Sequence, residues 1–190
     1  MTQPAERLAK SFEDYLKEEA ASPTRHEWLR GDVYAMAGGS PEHAAVAANV
    51  VALLSALLRA RPCRVYTSDA RLRVVETGLA TYPDVSVVCG RLETDVEDPL
   101  AITNPLLLVE VLSPTTEAYD RGAKFAHYRR IPSLREVVFV AHRERRLEVY
   151  RRDAVGRWVL YEAGAGEAVE LESLGGELVV DEVYRDPLAL

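Results

Sequence analysis

Residues 105–114 read PLLLVEVLSP: an aliphatic run closed by a proline at each end and broken by one carboxylate, Glu110. The run is too short for a typical helix and too continuous for a half-exposed strand. Its pattern predicts a short strand covered on both faces. A charged side chain there is costly unless it is paired or bound to a cation. Upstream, TYPDVSVVCG (81–90) poses the same problem, with Asp84 at the mouth of a strand that is otherwise apolar. If the two strands pair, Asp84 and Glu110 converge. Close carboxylates raise each other's pKa unless a cation neutralises them. A hard divalent ion such as Mg²⁺ takes one or two carboxylates and fills its remaining positions with water and substrate phosphate. On spacing alone, an aspartate that merely caps a turn at the strand end competes with the metal-ligand reading of Asp84.

Working outward, the 190 residues suffice for one domain with a real core. Apolar content is 48% and charged content 28%, which excludes wholesale disorder. No apolar run approaches the roughly 20 residues needed to span a bilayer. The start of the chain, MTQPAERLAKSFEDYLKEEA, is polar and acidic and does not resemble a secretory signal, so a cytoplasmic protein is expected. Cys63 and Cys89 form neither a zinc pattern nor a CxxC pair. They read as small buried hydrophobes in a reducing compartment rather than as a disulfide. Net charge is −7, yet residues 121–152 hold ten Lys/Arg against three acids. A basic face on an acidic molecule is compatible with nucleic acid, and equally with a solvated arginine-rich hairpin.

SFEDYLKEEA predicts an amphipathic helix, and RHEWLRGDVYAMA two strands about a turn at Arg30-Gly31-Asp32. In GGSPEHAAVAANVVALLSALLRA, Ser40 is an N-cap and Pro41 the first helical residue. Val46, Val50, Leu53 and Leu57 recur at helical spacing, and the near-continuous apolar surface predicts a deeply packed helix. CRVYTSDARLRVVE supplies strand material with a bend at Ser68-Asp69, and RLETDVEDPLAITNP reads as loop. Ser113-Pro114 opens a helix through TTEAYDRGAKFAHYRRI, and the remainder reads as an antiparallel tail. The sum is α/β: one mixed sheet flanked by helices, in a single unit over residues 1–190 with its core at about 25–180. AGGSPEH lacks the GxxxxGK[ST] pattern of a phosphate-binding loop. Ser113 has no GxSxG or Ser–His–Asp context, so it reads as a helix cap.

Pro83-Asp84 followed by Glu110-Val111-Leu112 is similar to the PD-(D/E)XK nuclease signature. More narrowly, the chain resembles the bacterial Uma-type family of restriction-endonuclease-like proteins. RHEWLRGDVYAMAGGSPEH, TYPDVSVV, LLLVEVLSPTTEAYDRGAKFAHYRRIPSLREVVFV and RRLEVYRR carry the likeness over about residues 25–180. The resemblance implies a restriction-endonuclease-like sheet and a divalent-metal phosphodiesterase site acting on DNA. Asp84, Glu110 and the Val111 carbonyl would then hold Mg²⁺ or Mn²⁺, and a homodimer would cut both strands. One position departs from the pattern. The superfamily lysine two residues after the second acid is Leu112 here.

The resemblance points to Lys124, in DRGAK, as the replacement. Glu110 lies about 10 Å before the strand exit at 3.3 Å per residue. Lys124 lies about 13.5 Å along the following helix at 1.5 Å per residue. A helix folding back along the sheet brings the two to one level. Asp120, Lys124 and Tyr128 share one helical stripe, which otherwise reads as an ordinary Asp120–Lys124 surface pair. Glu27 and His43 fall in matching segments and are candidates to line the same cleft, Glu27 as a further acid on the metal or its water. The competing expectation is a catalytically inactive nuclease-fold protein that serves as a nucleic-acid-binding or assembly module.

Overall fold

The computed structural model describes residues 9–36 and 38–186. The first eight residues of the N-terminal stretch read above therefore lie outside the described residues, and helix α1 (Phe12–Ala21) follows them. Two larger sheets organise the chain. One runs β2-β1-β5-β4-β7, from β1 (His26–Leu29), β2 (Asp32–Ala35), β4 (Arg71–Val74), β5 (Leu79–Thr81) and β7 (Ala101–Ile102). The other runs β11-β10-β9-β8-β6-β3, from β3 (Cys63–Thr67), β6 (Val85–Cys89), β8 (Leu107–Val111), β9 (Glu136–Val140), β10 (Arg146–Arg152) and β11 (Trp158–Gly164). A two-stranded sheet of β12 (Ala168–Leu171) and β13 (Gly176–Val179) completes the mixed architecture. The β1–β2 turn is the Arg30-Gly31 pair, both with positive φ (51° and 102°), a geometry whose twist matches a tight hairpin.

The six-stranded sheet is sandwiched between two apolar layers, and alternation along its strands sorts the side chains. Val85 and Val87 of β6, with Leu107, Val109 and Val111 of β8, pack against Val50 and Leu54 of helix α2 (Pro41–Leu57) and against β12, β13 and α5 (Val180–Val183). The even-numbered set, Val88, Leu108 and Leu112, points the other way, onto Leu72 and Leu79 of the first sheet and Phe125 and Tyr128. Every residue of β8 is buried, as a strand covered on both faces requires. Glu110 therefore enters the second layer, between the sheets.

Antiparallel β6 and β8 pair Val85 with Val109, a register that carries Asp84 opposite Glu110. Strands β8 and β9 are parallel, with Leu107 opposite Glu136, so the chain must cross back over the sheet between them. It does so through α3 (Glu117–Tyr119), a π turn (Asp120–Lys124) and α4 (Phe125–Tyr128), which return the chain across Glu110.

Four expectations change. Cys63 and Cys89 are bonded to each other, with Cα atoms 4.0 Å apart. They are direct partners in the β3–β6 register, a proximity that 26 positions of sequence do not reveal. This removes the free thiols on which the reducing-compartment reading rested. Helix α2 is not deeply packed: Val50 and Leu54 are buried, whereas Ala45, Ala48, Ala52 and Ala56 face outward. Its apolar outer surface is made of small side chains that water tolerates. The segment expected as loop contains β7, which pairs in parallel with β4 through Arg71–Ala101 and Leu72–Ile102. Ser113 does not cap α3 directly. Its Oγ accepts from Thr116 N at 3.2 Å, and its carbonyl receives Glu117 N, forming a turn before the helix.

Candidate functional site

The fold brings Glu110 and Lys124 into contact. Lys124 Nζ lies 3.0 Å from Glu110 Oε1, 3.2 Å from Glu27 Oε1 and 3.6 Å from Asp120 Oδ1, with all four side chains nearly sealed from solvent. Tyr128 OH donates to the same Glu110 Oε1. The stripe of Asp120, Lys124 and Tyr128 thus faces the sheet, although a π turn rather than an α turn presents its first two members. Such local widenings are frequent where a helix serves a site. Leu112 lies on the same strand face as Glu110 but is buried in the apolar cluster with Phe125 and Tyr128.

Asp84 stands at the open edge of this group. Its Oδ2 accepts from Val111 N at 2.8 Å, and its Oδ1 lies 3.0 Å from His43 Nε2. His43 is delivered by the first turn of α2, whose N-cap Ser40 accepts from His43 N at 3.2 Å. The His43 Nδ1 atom is buried without a hydrogen-bond partner among the described residues.

The electrostatics follow from burial and from crowding of like charge. Burial pushes the Glu110 carboxyl up to about 8; Lys124 opposes that rise, while Asp84 and Asp120 add to it. Burial likewise raises Asp120. For Lys124, burial alone would lower the pKa. The carboxylate of Glu110, then Tyr128, Glu27 and Asp120, overcome it and hold the ammonium well above its ordinary range. Burial beside Glu110 lifts Tyr128 as well. The hydrogen bond to Asp84 raises His43 against the opposing effect of its burial.

Among the described residues no three His, Cys, Asp or Glu side chains form a ready-made metal cage. The donor set nonetheless fits a hard divalent ion in the sparse manner of Mg²⁺, which uses one or two carboxylates. Burial and the nearby Asp84 disfavour the ionised form of Glu110, a penalty that a bound divalent cation would relieve. Asp84, Glu27, Glu110 and Asp120 also outnumber the one lysine and one histidine beside them.

Glu27 is buried, as a residue lining the cleft would be, and both of its oxygens are engaged. Oε1 accepts from the Thr81 hydroxyl, and Oε2 from Tyr119 OH at 2.9 Å. Sequence reasoning missed Thr81 and Tyr119. Thr81 opens the TYPD segment and was within reach of an alternation argument; nothing in the sequence distinguished Tyr119. Three arginines of the 121–152 stretch are tied to glutamates rather than free. Arg121 binds Glu117 and Glu148, Arg146 binds Glu148 and Glu162, and Arg151 binds Glu136 and Glu172. No described helix is long and apolar enough to cross a membrane.

Residues 12–181 match the Uma2 family, described as "Putative restriction endonuclease". Two proteins of Synechocystis sp. (strain ATCC 27184 / PCC 6803 / Kazusa) are similar along nearly their whole length. "Uncharacterized protein slr1290" is 37% identical over 175 residues, covering 92% of this chain and 91% of its own. "Uncharacterized protein sll1609" is 32% identical over 159 residues, covering 84% and 89%. Among solved structures, a "putative nuclease belonging to DUF820" from Anabaena variabilis ATCC 29413 superposes with a TM-score of 0.72 at 16% identity, over 90% of this chain and 96% of that one. The fold is thus restriction-endonuclease-like.

Proposed function

The chain belongs to the Uma2 family, and on that premise we propose that it is a divalent-metal-dependent endonuclease that hydrolyses DNA phosphodiester bonds. Asp84, Glu110 and the Val111 carbonyl would hold Mg²⁺ or Mn²⁺. When bound, the ion supplies Lewis-acid polarisation of a phosphoryl oxygen and acidifies coordinated water. The observation that supports this reading most is the 3.0 Å contact between Glu110 Oε1 and Lys124 Nζ. It sets a cation from the crossover helix beside the strand acid, where Leu112 leaves the strand without one. Because its neighbours hold Lys124 protonated, it acts as an ammonium and not as a base. It orients the attacking water and offsets charge growing on the phosphoryl oxygens. His43 steadies Asp84 through Oδ1, and Val111 N steadies it through Oδ2. Two such sites in a homodimer would address the two strands of a duplex.

One observation favours the alternative of a non-catalytic binding or assembly module. Lys124 already has three carboxylate neighbours, a closed network that also serves as a structural hub. A plasmid-nicking assay with Mn²⁺ or Mg²⁺ separates the two readings. The wild type should nick and Asp84→Asn should not. Lys124→Ala should lose about 10²–10³-fold in rate while still binding Mn²⁺. Full activity in Asp84→Asn ends the assignment.

A further inference from the structure

Lys124 is gripped from two sheets, and the two-acid site uses only one of them. Glu110 belongs to β8 of the six-stranded sheet, whereas Glu27 belongs to β1 of the five-stranded sheet and reaches the same ammonium from the opposite side, at 3.2 Å. Glu27 is in turn fixed by two hydroxyls, that of Thr81 on β5 at Oε1 and that of Tyr119 on α3 at Oε2. Its carboxylate is thus oriented by neutral donors and aimed at a lysine.

The chemistry explains why such a grip is needed. A lysine on a strand, two residues after the acid, is aligned by the pleat itself. A lysine on a helix reaches the site through a four-carbon stem with several rotatable bonds, and its ammonium is a compact charge with three rotatable donors. One acceptor does not fix such a group; acceptors on different sides do. The three carboxylates of Glu110, Glu27 and Asp120 supply them.

We propose that Glu27 is a positioning residue: it pins the Lys124 ammonium against Glu110 from the second sheet, and Thr81 and Tyr119 hold Glu27 in the orientation this requires. The consequence for turnover rests on the nuclease reading above. The consequence for Lys124 itself does not, so the two are tested separately.

The first measurement is the Lys124 Nζ signal in ¹H–¹⁵N spectra of the metal-free protein, assigned with Lys124→Met. A buried, pinned ammonium exchanges slowly with water and gives a resolved signal in the wild type. Glu27→Gln keeps the shape and loses the charge, and should remove or strongly broaden that signal. The second measurement separates kcat from KM in Mn²⁺-supported nicking, with Mn²⁺ affinity measured by calorimetry. Glu27→Gln should lower kcat about 10²-fold, the loss expected from a misplaced catalytic group, with KM and Mn²⁺ affinity unchanged. Tyr119→Phe and Thr81→Val each remove one orienting hydrogen bond and should lower kcat roughly three- to tenfold with the same split. They also decide the question if Glu27→Gln does not fold. An unchanged ammonium signal or an unchanged kcat in Glu27→Gln overturns the proposal, as does loss of Mn²⁺ affinity, which would make Glu27 a ligand. If the wild type neither binds Mn²⁺ nor nicks, the nuclease reading fails, and the ammonium signal alone decides for or against Glu27.

Discussion

Glu110 and Glu136 sit on the adjacent parallel strands β8 and β9, 4% and 0% exposed, yet the structure treats them in opposite ways. Glu136 is fully answered. Arg151 Nε lies 2.9 Å from Oε1, the backbone amides of Glu172 and Ser173 donate at 3.0 and 3.1 Å, and the Ser173 hydroxyl completes the set. It ties the turn after β12 to the sheet. Glu110 instead receives Lys124 and Tyr128 on one oxygen and stands in the field of Asp84 and Asp120. Burial by itself does not mark a functional acid. What marks it is a carboxylate whose neighbours repel as well as attract, so that its protonation is poised rather than settled.

The contrast is open to direct attack, beginning with its structural side. Glu136→Ala takes the buried partner from Arg151, which keeps Glu172, and the acceptor from the amides of Glu172 and Ser173, and should cost about 3–5 kcal/mol in chemical denaturation while leaving Mn²⁺ affinity intact. A loss of metal binding in that variant would erase the distinction between the two glutamates. Next in size is the Cys63–Cys89 bond, which closes a loop of 26 positions at the opposite end of β6 from Asp84. The double variant Cys63→Ala/Cys89→Ala should lose about 3 kcal/mol. Because β6 stays paired with β8, Mn²⁺ affinity should hold.

The smallest effect is also the most diagnostic. In the metal-free wild type, Glu110 binds its proton more tightly folded than unfolded, so its contribution to stability declines as pH rises from about 4.5 to about 8 and is level above that. Glu110→Gln has no such decline. The Tm of the variant minus that of the wild type should therefore climb across this window and then flatten. A difference independent of pH would mean that the protonation of Glu110 is not poised.

Much of this was legible before any coordinates. The apolar run around Glu110 and the Pro-Asp mouth of β6 pointed to two buried strands whose pairing would bring Asp84 and Glu110 together. Strand and helix rise put Lys124 level with the strand acid and the family resemblance singled it out; the structure sets the two 3.0 Å apart across the β8–β9 crossover. What stayed hidden depends on pairing between distant segments. Cys63 and Cys89 meet only through the β3–β6 register. Arg121, Arg146 and Arg151 look like a basic face in the sequence because the glutamates that bind them come from other elements. Glu27 entered the cleft only through the family resemblance, because nothing local shows that β1 of one sheet closes over an acid of the other. The outward face of α2 misled for another reason: alanines count as apolar in a pattern but are small enough to remain at the surface.

The central claim is that Asp84 and Glu110 act together on one divalent ion. Calorimetric titration of Mn²⁺ into the wild type and into Glu110→Gln tests it most directly. The account predicts saturable binding in the wild type and none in the variant, which keeps its shape but lacks the carboxylate. Equal binding in both, or no heat in the wild type, would contradict it.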